Sequence, residues 1–149
     1  MSDATTGTTT DAVVVDYALA AAPDVVWRAL TESDLLARWL MANDFEPTVG
    51  HKFTFQANPA PNWDGIVHCE VLEVDEPHRL AYAWRGGAGE YALDTVVTWT
   101  LTPDGTGGTL LHLEHAGFLP KNAMGREGMG RGWRGPIAER LRELTESLR

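Results

Sequence analysis

The apolar positions change their period several times along the chain. From Ala12 to Leu19, "AVVVDYAL", β-branched and aromatic residues dominate, and the stretch predicts a strand. "AAPDVVWRALT" then puts Val26, Trp27 and Leu30 on one helical face, with Pro23 at the start, Asp24 in the first turn and Thr31 closing the helix. Ser33 is read as the cap of a second short helix, Asp34 to about Leu40, in which Leu35, Leu36, Trp39 and Leu40 keep the 3.6 period. After that the period is two. His51, Phe53 and Phe55 alternate with Lys52, Thr54 and Gln56, and "PAPNWDG" reads as a turn.

Ile66 to Glu76 predicts a long strand, bent because its apolar parity changes after Val71. Leu80, Tyr82 and Trp84 share one strand face, and Val97, Trp99 and Leu101 share another. A glycine loop, "RGGAGE", lies between them, and "DGTGG" predicts a hairpin turn. The strand after it sets Leu111, Leu113 and His115 against Leu110, His112 and Glu114. Ile137, Leu141, Leu144 and Leu148 then return to helical spacing from Pro136 to Leu148. That segment measures ~20 Å, and a helix starting near Met124 would measure ~39 Å. The predicted order is a strand, two short helices, about five strands in an antiparallel meander, and a C-terminal helix that covers the apolar face of the sheet. The two short helices plug one end of a curved sheet, with Trp27 and Trp39 turned inward beside Phe53 and Phe55.

Composition narrows the function. A net charge of -9 disfavours nucleic acid and anionic membrane surfaces. The charge is uneven: residues 1–125 carry 6 basic and 17 acidic groups, and residues 126–149 carry 6 Arg and 4 Glu. The basic tail reads as an ordinary solvated helix face. A single cysteine, Cys69, excludes an intrachain disulfide and a cysteine-based zinc cluster, and suits the reducing cytoplasm. No apolar run approaches ~20 residues, so no membrane insertion is expected. The polar, Thr-rich start lacks a signal pattern and is expected to be disordered over residues 1–10, with one domain over 11–149.

Chemistry-bearing motifs are sparse. There is no G-x-S-x-G, no H-E-x-x-H and no phosphate loop, and "GGAG" at 86–89 lacks the following helix and Lys. His112 and His115 point to opposite faces of one strand, as do His68 and Cys69, so no metal and no cofactor is expected. Cys69 reads as a buried, apolar-like thiol. His115, on the inward face, is a candidate for a hydrogen bond to a ligand or to a backbone carbonyl. An acid–base pair of His115 with Tyr82 or Glu70 has no support from the pattern, and no catalytic residue is assigned. Six Trp are many for this length, and aromatics on strand faces either line a cavity or fill a core.

"APDVVWRALTESDLLARWL", "FEPTVGHKFTF", "VTWTLTPDGTGGTLLHLEHAGF" and "GMGRGWRGPIAERL" together resemble the START-like SRPBCC superfamily, in the branch named for the activator of heat-shock-protein-90 ATPase, over residues 11–149. The resemblance implies an α+β helix-grip fold, with a curved antiparallel sheet around a long C-terminal helix and a cavity between them. Members bind lipids, polyketides or other apolar molecules, and a few are enzymes. The walls expected for that cavity are Trp39, Phe53, Phe55, Trp84, Trp99, Leu113, His115, Met129 and Trp133. The leading function is binding of an apolar or aromatic ligand without chemistry. A cyclase, aromatase or hydrolase in the same cavity is the second reading. A chaperone-linked or other protein-interaction role is the third, ranked last because the 149 residues read as the START-like domain alone. A homodimer is compatible with all three.

Five glycines precede the last helix: Gly125, Gly128, Gly130, Gly132 and Gly135. Each costs ~1 kcal/mol relative to Ala inside a helix. At 100° per residue, Met129, Trp133 and Ile137 join the core face, Gly130 turns inward, and the other four glycines fall on the outer face. The expectation is a hinge, in which residues 119–135 gate the cavity while 137–148 stay docked, with a flat outer face for a partner helix as the alternative.

Overall fold

The computed structural model describes residues 12–61 and 63–149; the tail over 1–10 and the domain start at Asp11 lie outside them. The chain opens with β1 (Ala12–Leu19), followed by α1 (Pro23–Thr31) and α2 (Ser33–Trp39). Then come β2 (Ala42–Asn43), β3 (Lys52–Gln56), β4 (Ile66–Asp75), β5 (Arg79–Gly86), β6 (Leu93–Pro103) and β7 (Thr109–Ala116). It ends in α3 (Ala123–Arg134) and α4 (Pro136–Ser147). The sheet is antiparallel throughout, in the order β1-β7-β6-β5-β4-β3-β2. No helix among the described residues is long and apolar enough to cross a membrane.

The parity change in β4 is a register shift against β5 between Val71 and Glu73. One extra residue there leaves Leu72 exposed and bends the strand, which curls the sheet around its apolar face. That face carries Tyr17, Phe53, Phe55, Tyr82, Trp84, Val97, Trp99, Leu111 and Leu113, all buried. The helices cover it: Val26, Trp27 and Leu30 from α1, Leu36 and Trp39 from α2, and Leu141 and Leu144 from α4 are buried in the same core.

Three local expectations are corrected. Ser33 is not the cap of α2. Glu32 takes that position, and the Ser33 hydroxyl reaches Asn43 instead, at 2.8 Å from Oδ1 and 3.1 Å from the carbonyl oxygen. The strand count after α2 rises because β2, pairing Ala42 with Gln56 and Asn43 with Phe55, is too short to carry a period. The helix expected from Pro136 to Leu148 is present as α4, but the longer helix from near Met124 is not continuous. It is two helices of 12 residues each, broken at Gly135. Pro136 has no N–H to donate and disfavours helical backbone in the residue before it, so Gly135 leaves the helix at φ -107°, ψ -106° and Pro136 starts α4.

Candidate ligand-binding site

Between α3 and the open end of the sheet lies a cavity of about 760 Å³. Its floor is Val67 of β4, Trp84 of β5 and Leu93 of β6. One wall is the face of α3 that carries Gly125, Gly128, Met129 and Gly132. Leu40 and Met41, just after α2, and Ile137 and Arg140 of α4 close one end. Trp63, Gly87 and Tyr91, from the loops on either side of β4 and β5, and Lys121 and Asn122 complete it. The indole N–H of Trp63 donates to the Ile66 carbonyl at 2.9 Å, which holds this loop ring against the strand it precedes. Gly87 sits at φ 82°, where a Cβ would come within 2.5 Å of the Tyr91 carbonyl oxygen. Only glycine lets that loop fold this closely over the cavity.

Helix α3 is tied down at its two ends. At the first, the Asn122 side chain donates to the Ala92 carbonyl at 3.1 Å and accepts from the Leu119 amide at 3.0 Å. At the second, Tyr17 donates to the Trp133 carbonyl at 2.7 Å, and Arg134 donates to the Val14 carbonyl at 3.2 Å. Between these ties only Gly130 and Trp133 are buried. The outer-face assignment of the glycines is therefore corrected for Gly125, Gly128 and Gly132, which line the cavity. The rotation that assigned them assumed a continuous helix. The break at Gly135 decouples the two faces. Gly130 does turn toward the core, beside Val13.

Of the nine candidate wall residues, Trp84 and Met129 line the cavity. Trp39, Phe53, Phe55, Trp99, Leu113, His115 and Trp133 lie in the packed layer behind it, each at most 2 % exposed. The rings there form one connected set. Trp39 meets Trp99 edge-on at 5.8 Å between centroids, Trp99 meets Trp133 at 5.5 Å, and Trp133 meets Trp84 at 5.7 Å. Such tilted and edge-on pairs add to plain area burial.

His115 is engaged on both nitrogens. The Trp133 indole N–H donates to Nδ1 at 3.1 Å, so the neutral ring carries its proton on Nε2. Nε2 then donates to Thr95 Oγ1 at 2.8 Å, and the Thr95 hydroxyl donates to the Trp84 carbonyl at 2.7 Å. Burial pushes the imidazole down to about 3, which keeps it neutral. Its partners are thus side chains of β6 and α3. Tyr82 and Glu70 are not among them. The Tyr82 oxygen accepts from the Trp99 indole at 3.0 Å, and burial pushes its phenol up. Cys69 is buried, and burial pushes its thiol up to about 12, so it is not a ready nucleophile.

The lining residues that sequence reasoning missed are chiefly Leu40, Met41, Trp63, Leu93, Lys121 and Arg140. Trp63 carried one usable signal, a large aromatic inside a turn-rich segment, because such a ring needs something to pack on. Arg140 carried none, since it reads as solvent face. A second hollow of about 290 Å³ on the outside of the sheet mixes Asp44, Glu70, His68, Lys52 and Arg85, and its opposed charges define no recognisable ligand. No group of three or more His, Cys, Asp or Glu among the described residues is placed to hold a metal ion.

A curved antiparallel sheet gripping C-terminal helices around an apolar cavity defines the START-like SRPBCC class. Within it, the chain belongs to the family described as activator of Hsp90 ATPase homolog 1-like protein, whose model matches residues 20–146. It is similar to protein MLL2253 from Mesorhizobium loti, with 39% identity over 91% of this chain and 97% of that one, and a TM-score of 0.83. It is also similar to DynU16, a putative protein in the dynemicin biosynthetic locus, with 25% identity over 92% of this chain and 48% of that one, and a TM-score of 0.76. Protein BH1534 from Bacillus halodurans shares 27% identity over 90% of this chain and 96% of its own, with a TM-score of 0.72. No curated protein matches the chain.

Proposed function

We propose that this protein binds an apolar or aromatic small molecule in the cavity under α3 and does not transform it. The observation that carries the reading is the cavity itself. About 760 Å³ is in the range of sites that enclose a drug-sized ligand, and its walls are mostly hydrocarbon, indole and glycine backbone, with Lys121, Asn122 and Arg140 as the polar exceptions among the described residues. Binding is favoured over catalysis because no described lining residue is an Asp, Glu, His or Cys, and the buried His115 is already satisfied on both nitrogens. The likeness to a protein of the dynemicin biosynthetic locus supports a polyketide-like guest. The expected place of action is the cytoplasm, in keeping with the single, buried, unpaired cysteine.

The test is twofold. Native mass spectrometry of freshly purified protein should show a co-purified mass, and the neutral dye Nile red should bind and be displaced by planar apolar competitors. Gly128→Leu, which pushes a side chain into the cavity, should abolish dye binding without unfolding the protein. No bound mass and no dye binding would overturn the reading. In that event the protein-interaction reading gains, because Leu119, Tyr91 and Met124 form an exposed apolar rim, with Met124 84% exposed.

A further inference from the structure

The charged residues of the cavity wall point to one feature of the guest. The chain holds 21 acidic and 12 basic residues, yet the described cavity walls carry Lys121 and Arg140 and no carboxylate. An apolar pocket in so acidic a protein would be expected to meet acidic groups first.

Lys121 lies in the turn before α3, a helix of 12 residues and therefore ~18 Å long, and Arg140 lies within α4, beyond the break that ends α3. They are not equivalent. Lys121 sits on an exposed turn with a flexible stem. The Arg140 Nε donates to the Trp39 carbonyl at 3.1 Å, which fixes the plane of the guanidinium beside Leu40 and Met41. Among the described residues Arg140 forms no ion pair, so the two terminal nitrogens of its fork have no carboxylate partner. A guanidinium held in plane by its own Nε offers the other donors to a carboxylate in the bidentate geometry that lysine lacks.

We propose that the guest is an amphipathic carboxylate, whose flat or extended apolar body lies along the glycine face of α3 and over Trp84, and whose carboxylate is held by Arg140. This rests on the ligand-binding reading and adds the charge and orientation of the ligand. The glycine face fits such a body. A Cβ at Gly128 would meet only Arg131 Nη2 at 3.8 Å, and one at Gly125 only Leu93 Cδ2 at 3.8 Å. Internal packing therefore does not demand glycine at these positions, and leaving Cβ atoms out keeps that wall smooth and the cavity wide.

The experiment titrates the intact protein with two matched fluorophores, 1-pyrenebutyrate and 1-pyrenebutanol, which differ in charge at one end. The wild-type protein should bind the carboxylate about tenfold more tightly, the size of one charge-assisted hydrogen bond. In Arg140→Gln the two probes should bind alike, with the alcohol unchanged, which also reports an intact cavity. Arg140→Lys should restore part of the difference, and Lys121→Gln should change it by less than about threefold. Equal wild-type affinities, or a preference that survives Arg140→Gln, would overturn the carboxylate assignment and leave the ligand-binding reading standing. The wild-type comparison needs no variant, so a poorly folding Arg140→Gln does not spare the proposal. Binding of neither probe would overturn both.

Discussion

Helices α3 and α4 have equal length and are consecutive in the chain, yet they are held in opposite ways. Helix α4 buries Ala138, Leu141, Leu144 and Thr145 against the core, along most of its length. Helix α3 buries Gly130 and Trp133, and its middle turns a glycine face to the cavity. The first is a structural strut. The second is a wall held by its ends, with one indole as its main apolar anchor. The difference shows how one helical stretch can serve two purposes: Gly135 and Pro136 break it, so the part that closes the core does not dictate which face the other part shows to the cavity.

The largest effect expected from this contrast is at the anchor. Trp133→Ala should cost about 3–5 kcal/mol in urea unfolding, since it deletes a fully buried ring and removes the donor to His115. It should also speed amide exchange throughout α3 while α4 stays protected. A loss below ~1 kcal/mol would mean that α3 is not held by this ring.

The same anchor makes the fold sensitive to acid. The folded His115 has its pKa lowered to about 3 by burial, and the unfolded chain protonates near the ordinary value of 6.5. Between those values the unfolded state binds more protons, so stability is full above about pH 6.5 and falls as the pH drops toward 3. The urea midpoint followed from pH 7 to pH 4 should decline, and His115→Gln should flatten that decline. A midpoint that does not move with pH would show that His115 is protonated without cost.

A smaller effect has the opposite sign. Gly128→Ala should raise stability by up to ~1 kcal/mol, because its Cβ meets nothing closer than 3.8 Å in the protein, and should weaken Nile red binding by narrowing the cavity. Destabilisation would show that glycine serves the free fold rather than the guest. Smallest is the difference in local opening. In the unliganded wild type, amides in the middle of α3 should exchange on the order of tenfold faster than those near Leu141, and a bound probe should close the gap. Equal exchange would rule out the gate and leave α3 as a fixed wall.

Much of the fold was legible along the chain. The span of β1, the end of α1 at Thr31, the bend after Val71 and the inward set Leu111, Leu113 and His115 follow from periods of 2 and 3.6 that buried faces impose. The site was far less legible. Of the aromatic candidates Trp84 alone reaches the cavity, because a periodic pattern identifies the buried face of an element but not whether that face meets a neighbour or a void. Trp99 and Trp84 both occupy the inward positions of their strands and both pack on Trp133, yet the first is also closed in by Trp39 while the second keeps an edge on the cavity.

What the amino-acid sequence determined by itself is local: the strand faces, the helix stretches, the break that Gly135 and Pro136 impose, and an acidic chain with no metal or nucleophile motif. Tertiary structure alone decided that the face carrying Gly125, Gly128 and Gly132 lines the cavity, that Trp133 and Thr95 saturate His115, and that Arg140, itself exposed, stands at the edge of an apolar cavity. The physical reason is that helical rotation is conserved only while backbone hydrogen bonds continue. Past the break at Gly135, the orientation of α3 is set by long-range ties, from Tyr17, Ala92 and His115, which lie far away in the sequence and whose geometry no local pattern encodes.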